Sequence, residues 1–310
     1  MAASLLDPNA LLADLELFFG EANDALARVY ARLPRNDLPP GVRLDGTVNG
    51  PDCKFAATLP SPVPLVEKKV SGTFSETPLA EAVVPDPCFW TPELPFLYRV
   101  RVELRRGADV LAAADRMFGI RRLGVKGRNL FLEGKRFVIR GVGADSTSEH
   151  DLVAWRAADA AMIIRQPSDD VCRQASEQGV LLLAEIRPDI PDPLAELRRL
   201  SRWPAVGVAI LDSSTCMVAS SDLRAAARNL LLAQRTGSAV ISAEPLCDWA
   251  QLIVAETTPD PLALNARLSH IPIIVRCALA KPVSLPSARA ACDLLQRDLA
   301  PVGDFAGYVV

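Results

Sequence analysis

Any chemistry in this chain has to come from carboxylates and guanidinium groups placed at the ends of short apolar runs. Asp145, Arg165, Glu185, Asp212, Glu244 and Glu256 all stand near the carboxyl ends of such runs. Two carboxylates facing each other could act as acid, base or nucleophile, with Glu185 and Asp212 as the pair. The same acidic rim could bind a cation or a polyol, or merely keep strand ends solvated. Histidine offers little, since the chain holds only His150 and His270. Seven cysteines are scattered without a C-x-x-C pair. That spacing predicts buried reduced thiols rather than a disulfide framework or zinc site, and hence a cytoplasmic location. No cofactor or metal is expected.

Partners are bounded by charge and hydropathy. A formal net charge of −3 gives no electrostatic case for nucleic acid. The longest apolar runs are strand-length, well short of the roughly 20 residues of a membrane span. The opening Met1-Ala2-Ala3-Ser4-Leu5-Leu6-Asp7 has no basic n-region, which argues against a secretory signal. A carbohydrate is the small-molecule partner to consider. Yet aromatic residues, on which sugar faces stack, make up 5% of the chain.

Three segments must position these residues. Over 1–33, Leu5, Leu11, Leu12, Leu15, Phe18, Phe19, Ala22, Leu26, Val29 and Tyr30 recur near helical spacing, which predicts an amphipathic helix. Such a helix would pack on its own sandwich or dock a second copy or another subunit. Residues 34–122 read as short strands, 42–48, 54–59, 66–74 and 79–84, then Leu97–Leu104 and Val110–Phe118. Over 123–310, short apolar runs alternate with helical stretches. Strands are predicted at 137–143, 161–165, 180–186, 205–211, 239–243, 251–256, 272–276 and 305–310, with a helix over 222–235. Eight strands in about 175 residues leave room only for trimmed loops, and loops are what build a barrel's active site.

The run from Phe89 to Gly143 carries the most specific signal. It holds Trp90-Thr91-Pro92-Glu93-Leu94-Pro95-Phe96-Leu97-Tyr98, then Phe118-Gly119-Ile120-Arg121, then Leu132-Glu133-Gly134-Lys135 and Arg140-Gly141-Val142. In this order and spacing it resembles glycoside hydrolase family 2 where an immunoglobulin-like sandwich joins a catalytic barrel. The resemblance implies an immunoglobulin-like β-sandwich followed by a compact (β/α)8 TIM barrel, here preceded by the helix. It also implies a retaining hydrolase, which needs two carboxylates about 5–5.5 Å apart.

Those positions are not filled with carboxylates. The family's acid/base glutamate ends strand four in an Asn-Glu pair, and by spacing Ser213 and Ser214 stand there. A serine hydroxyl is too weak an acid to protonate a glycosidic oxygen. The nucleophile ends strand seven, where this chain has Cys277. Asp145 falls where the pattern has a strand-one histidine, and Arg165 and Glu185 stand where the pattern would have them. The expectation is a catalytically degenerate family relative acting as a carbohydrate-binding or assembly module. Its candidate binding residues are Asp145, Arg165, Glu185, Asp212 and Glu256. The alternatives are an active hydrolase using Glu185 and Asp212 as displaced carboxylates, and a purely structural subunit.

Overall fold

The structure, a computed structural model, describes residues 12–34, 41–68, 79–144, 151–237, 246–257, 270–279, 281 and 283–310. It divides into two compact units, residues 1–90 with 94–120, and residues 91–93 with 121–310. No helix among the described residues is long and apolar enough to cross a membrane.

The first unit is all β. Its strands are β1 (Glu16–Ala22), β2 (Leu26–Arg32), β3 (Val42–Asp52), β4 (Ser61–Glu67), β5 (Leu79–Pro85), β6 (Leu97–Arg106) and β7 (Asp109–Phe118). They are ordered β1-β2-β5-β4-β3-β6-β7. β4 pairs with β3 through Ser61–Leu65 and with β5 through Val66 and Glu67, so it crosses from one layer of the sandwich to the other. Alternate residues, among them Val29, Leu44, Val48, Val100, Val102 and Leu104, meet in a fully buried core. Near the start of β6 the Tyr98 hydroxyl donates to the Cys88 carbonyl at 3.2 Å and accepts from its N–H at 2.9 Å. This is the tyrosine corner typical of immunoglobulin-like sandwiches.

The helix predicted over 1–33 is corrected by this unit. Residues 1–11 lie outside the described residues, and residues 16–32 form an antiparallel hairpin. Ala27, Val29 and Ala31 point inward and their neighbours outward, which is period 2. Asn23 Oδ1 accepts from the N–H groups of Ala25 and Leu26, each at 3.0 Å, and turns the chain. Cross-strand ion pairs join Arg32 to Glu16 and Arg28 to Glu81. Residues 54–59, predicted as a strand, form a turn and coil.

The second unit opens with a small antiparallel sheet, β8 (Leu123–Lys126), β9 (Asn129–Leu132) and β10 (Lys135–Phe137). Eight parallel strands then close a barrel in sequence order: β11 (Ile139–Gly143), β12 (Ala161–Arg165), β13 (Leu182–Glu185), β14 (Val206–Leu211), β15 (Leu231–Gly237), β16 (Leu252–Thr257), β17 (Ile273–Cys277) and β18 (Gly307–Val309). β12, β13, β14 and β16 have apolar, buried middles, as strands covered on both faces must. The described helices are α1 (Leu152–Ala157), α2 (Asp169–Gln178), α3 (Pro193–Leu200), α4 (Ser220–Ala226) and α5 (Leu285–Leu299). Asp151, Ser168 and Asp192 cap the first three by accepting backbone N–H bonds. Gly179 ends α2 at φ +74°, where a Cβ would lie 2.3 Å from the Pro92 carbonyl oxygen, so only glycine fits.

Strand five is a second correction. The helix predicted over 222–235 stops at Ala226, and Leu231–Gly237 is the strand. The predicted strand 239–243 lies outside the described residues. Leu230 to Ala233 are buried on all sides, and an apolar run of that kind cannot be assigned to helix or strand by periodicity.

At the end where the strands begin, Arg121 is wholly enclosed. Its guanidinium donates to the carbonyls of Pro204, Val206 (2.8 Å) and Asn229 (2.7 Å), just before and within the start of β14 and just before β15. Burial pushes its pKa down to about 9, still above neutrality, so it remains a cation held by carbonyl dipoles.

Candidate site at the barrel mouth

The carboxyl ends of β13, β15 and β17 carry Glu185, Arg235 and Arg276. Side chains from alternate barrel strands share a layer, so these three belong to one level of the interior. β13 and β17 are not neighbours in the barrel, yet the Arg276 guanidinium donates to Glu185 Oε1. That ion pair must therefore cross the mouth. Glu185 is 6% exposed, and a buried carboxylate needs such a partner.

The pair is the middle of a longer chain of charges. Arg235 Nη1 lies 3.9 Å from Glu185 Oε1, and Arg276 Nη1 lies 3.5 Å from Glu256 Oε1. Asp212, the residue after β14, takes a two-pronged contact from Arg235, 3.1 Å from Nε and 2.6 Å from Nη2. The Asp212 hydrogen bond raises the Arg235 pKa, against the opposing effect of burial. The order is Asp212, Arg235, Glu185, Arg276, Glu256, with signs alternating throughout.

Four of the residues expected in the site are thus placed. Glu185, Asp212 and Glu256 are brought together, bridged by two arginines. Arg165 pairs in register with Glu185, but its side chain is exposed. Asp145 and Glu244 lie outside the described residues, as does His150. Ser213 and Ser214 are exposed on a 3₁₀ turn, Ser213–Met217, that follows directly on β14 and Asp212. Cys277 ends β17 and is half-buried, and burial pushes its thiol up, away from the thiolate. Among the described residues, no group of His, Cys, Asp or Glu could hold a metal ion.

The sequence reading missed Arg235, hidden in a predicted helix, and Arg276, passed over beside Cys277. The one signal available was the layer rule, which puts 185, 235 and 276 at one level once strand five is placed correctly. It also missed a covalent link. Cys216 and Cys247 form a disulfide, their Cα atoms 5.8 Å apart, within the usual range. This corrects the expectation that the thiols are all reduced and removes one ground for a cytoplasmic location. Thirty-one residues separate the two in sequence, on loops after adjacent strands, so no short-range motif betrays the pair.

A cavity of about 420 Å³ lies at the opposite end of the barrel, where Val138, Ala161 and Leu181 stand at or just before the starts of β11, β12 and β13. Three arginines line it, and two of them, Arg140 and Arg289, are taken up by Asp293. Arg156 there donates to the carbonyls of Pro92, Glu93 and Gln178.

Residues 35–121 match the family model for Glycosyl hydrolases family 2, as the Phe89–Gly143 run led one to expect. No curated protein matches the sequence. Among solved structures, a Bacteroides uniformis beta-glucuronidase is similar over 96% of this chain and 45% of its own, at 15% identity and a TM-score of 0.68. A putative beta-galactosidase from Bacteroides fragilis is similar over 96% of this chain and 54% of its own, at 15% identity and 0.64. A family 2 member from Bacteroides cellulosilyticus gives 96% and 43%, at 14% identity and 0.69. The chain thus spans about half the length of these proteins, and at such identities the likeness is one of fold.

Proposed function

We propose that this chain, which is glycosyl hydrolase family 2-like, is a catalytically degenerate member with a TIM-type barrel, acting as a carbohydrate-binding or assembly module. One observation carries the reading. The carboxylates at the barrel mouth are cross-linked by Arg235 and Arg276, and the family resemblance would put Ser214 and Cys277 at the positions of the acid/base and the nucleophile. A general acid has to deliver a proton to the glycosidic oxygen, and a nucleophile has to offer a free lone pair. Guanidinium groups packed against Glu185 and Asp212 compete with a sugar for their carboxylate oxygens.

A second reading, an active hydrolase with displaced carboxylates, has one observation in its favour: Glu185 and Asp212 both reach the same guanidinium, Arg235. Two carboxylates sharing one guanidinium are near enough for glycosidase geometry, in which the groups lie about 5–9.5 Å apart. Assembly has a changed basis. With residues 16–32 in a hairpin, β1 is an edge strand of the described sheet, and an exposed edge rather than a helix face is what a partner would meet.

Aryl β-glucuronides and β-galactosides are the first substrates to try, since structural neighbours bear those names. The expected result is no turnover, and a thermal shift with the sugar acids or galactosides themselves if the mouth binds them. Turnover abolished by Glu185→Ala or Asp212→Ala would sink the degenerate reading in favour of the hydrolase.

A further inference from the structure

The cavity at the base of the barrel is lined by described residues of the second unit alone. Its volume of about 420 Å³ is that of a small-molecule site. One wall is the Pro92-Glu93 segment, from the Trp90–Pro95 run that stands out in the sequence. Arg156 of α1 clamps this segment in place. Its Nη1 donates to the carbonyls of Pro92 (2.6 Å) and Gln178 (2.9 Å), and its Nη2 to that of Glu93 (2.8 Å). Phe137, Val138 and Leu181 add apolar surface. Walls held in this way are formed before a ligand arrives, which lowers the cost of binding one.

The charges around the cavity are sorted by depth. The side chains of Arg289 and Arg140 are 18% and 26% exposed, whereas those of Asp293 and Asp159 are 53% and 90% exposed, and Glu93 is exposed too. Water screens the outer carboxylates more than the inner guanidinium groups, so the interior is left positive. Donors also remain to meet an anion. Asp293 takes one N–H from each arginine, Nε of Arg140 at 2.7 Å and Nη1 of Arg289 at 2.9 Å. Nε of Arg289 donates to the Asp159 carbonyl at 3.0 Å. Its Nη2 makes no hydrogen bond to a described residue, and Asp159 Oδ2, at 3.9 Å, is beyond hydrogen-bond reach.

We propose that this cavity binds a small organic anion, a carboxylate or phosphate on a compact apolar body, with its oxygens against Arg289 and Arg140. Planar guanidinium groups match either oxyanion. The site lies at the end of the barrel opposite the Glu185–Arg276 pair, so it stands or falls apart from the reading of the mouth. Isothermal titration of the full chain tests it with benzoate and phenyl phosphate, which carry no sugar, and with benzyl alcohol as the uncharged control. One anion or both should bind at a single site, the stronger identifying the oxyanion, and benzyl alcohol should bind at least about tenfold more weakly. Arg289→Gln should weaken binding about 10–100-fold, the scale of a hydrogen bond to a charged group. Arg276→Gln at the mouth should leave it unchanged. Asp159→Asn should tighten it about twofold to fivefold, since an exposed competing charge is removed. Asparagine accepts the φ of +50° at this position, so the fold is kept. The site is overturned by an absence of saturable binding, or by benzyl alcohol binding as tightly as the anions. Binding lost in Arg276→Gln but kept in Arg289→Gln, or an affinity indifferent to Asp159→Asn, overturns it as well.

Discussion

Replacing Arg276 by methionine should cost more than neutralising its partner, because the two changes orphan different groups. Arg276 supplies the short bond to Glu185, whose side chain is 8% exposed, and after Arg276→Met the nearest cation is Arg235 at 3.9 Å. A buried charge stripped of its partner costs about 3–5 kcal/mol, and Arg235 offsets part of this, so about 2–3 kcal/mol is expected. Glu185→Gln is milder. Arg235 keeps Asp212 at 2.6 Å, Arg276 keeps Glu256 at 3.5 Å, and the amide oxygen still accepts, for a loss of about 1 kcal/mol. In the double variant Glu185→Leu with Arg276→Met no charge is orphaned, so stability should return to within about 1 kcal/mol of the parent. Urea unfolding of the barrel can be followed by labelling of the buried thiols Cys172 and Cys292, which report that unit and not the sandwich. Equal costs for Arg276→Met and Glu185→Gln, or no recovery in the double variant, would refute a charge pair spanning the mouth.

Four further outcomes follow from the same reasoning. Arg121→Met should cost about 3 kcal/mol or more in the same thiol-protection assay, since three strand-end carbonyls lose a cationic donor at once. Tyr98→Phe should lower the stability of the sandwich by about 1–2 kcal/mol in urea, through loss of both hydrogen bonds to Cys88. Gly179→Ala should destabilise the barrel by more than about 1 kcal/mol, because its φ of +74° and the Pro92 oxygen both exclude a Cβ. Burial pushes the Glu81 carboxyl up, but hydrogen bonds from Lys68, Arg28 and Tyr30 outweigh it and hold the pKa below its usual value. Its contribution to the sandwich is therefore full above the unfolded value of about 4.3 and is lost as pH falls through the depressed one. Glu81→Gln should flatten acid unfolding of the sandwich measured by circular dichroism.

Strands covered on both faces were legible because burial imposes one requirement on every residue. Val206–Leu211 and Leu252–Ala255 are uniformly apolar, and such runs were read where they lie. The hairpin over 16–32 was not legible in that way. Phe18, Phe19, Ala22, Leu26, Val29 and Tyr30 fit helical spacing as well as they fit alternation, because aromatic residues on the outer face of the hairpin, such as Phe18 stacked on Tyr30, mimic a second apolar stripe. Strand five failed for a related reason: Leu230–Ala233 continues the apolar face of α4 without a break. The site was half visible. Carboxylates at strand ends could be picked out singly, whereas their engagement by Arg235 and Arg276 depends on which strands share a layer, and that depends on all eight being placed.

The segment Phe118-Gly119-Ile120-Arg121 is where a sequence motif and a physical role can be separated. The guanidinium of Arg121 bonds the carbonyls of Pro204, Val206 and Asn229, at the end of the barrel where β14 and β15 begin, so it ties together backbone at the base of two strands. A guanidinium does this with three donors in one plane, and lysine, a point charge with no planar fork, cannot reproduce it. That requirement is the same whether the far end of the barrel hydrolyses a glycoside or merely holds Glu185 between two arginines. A strong match at this motif is therefore evidence of how the barrel is closed at its base and says nothing about chemistry at its mouth. If Arg121→Lys destabilises the barrel nearly as much as Arg121→Met, geometry rather than charge is what the motif supplies; if Arg121→Lys is neutral, this account of the motif is wrong.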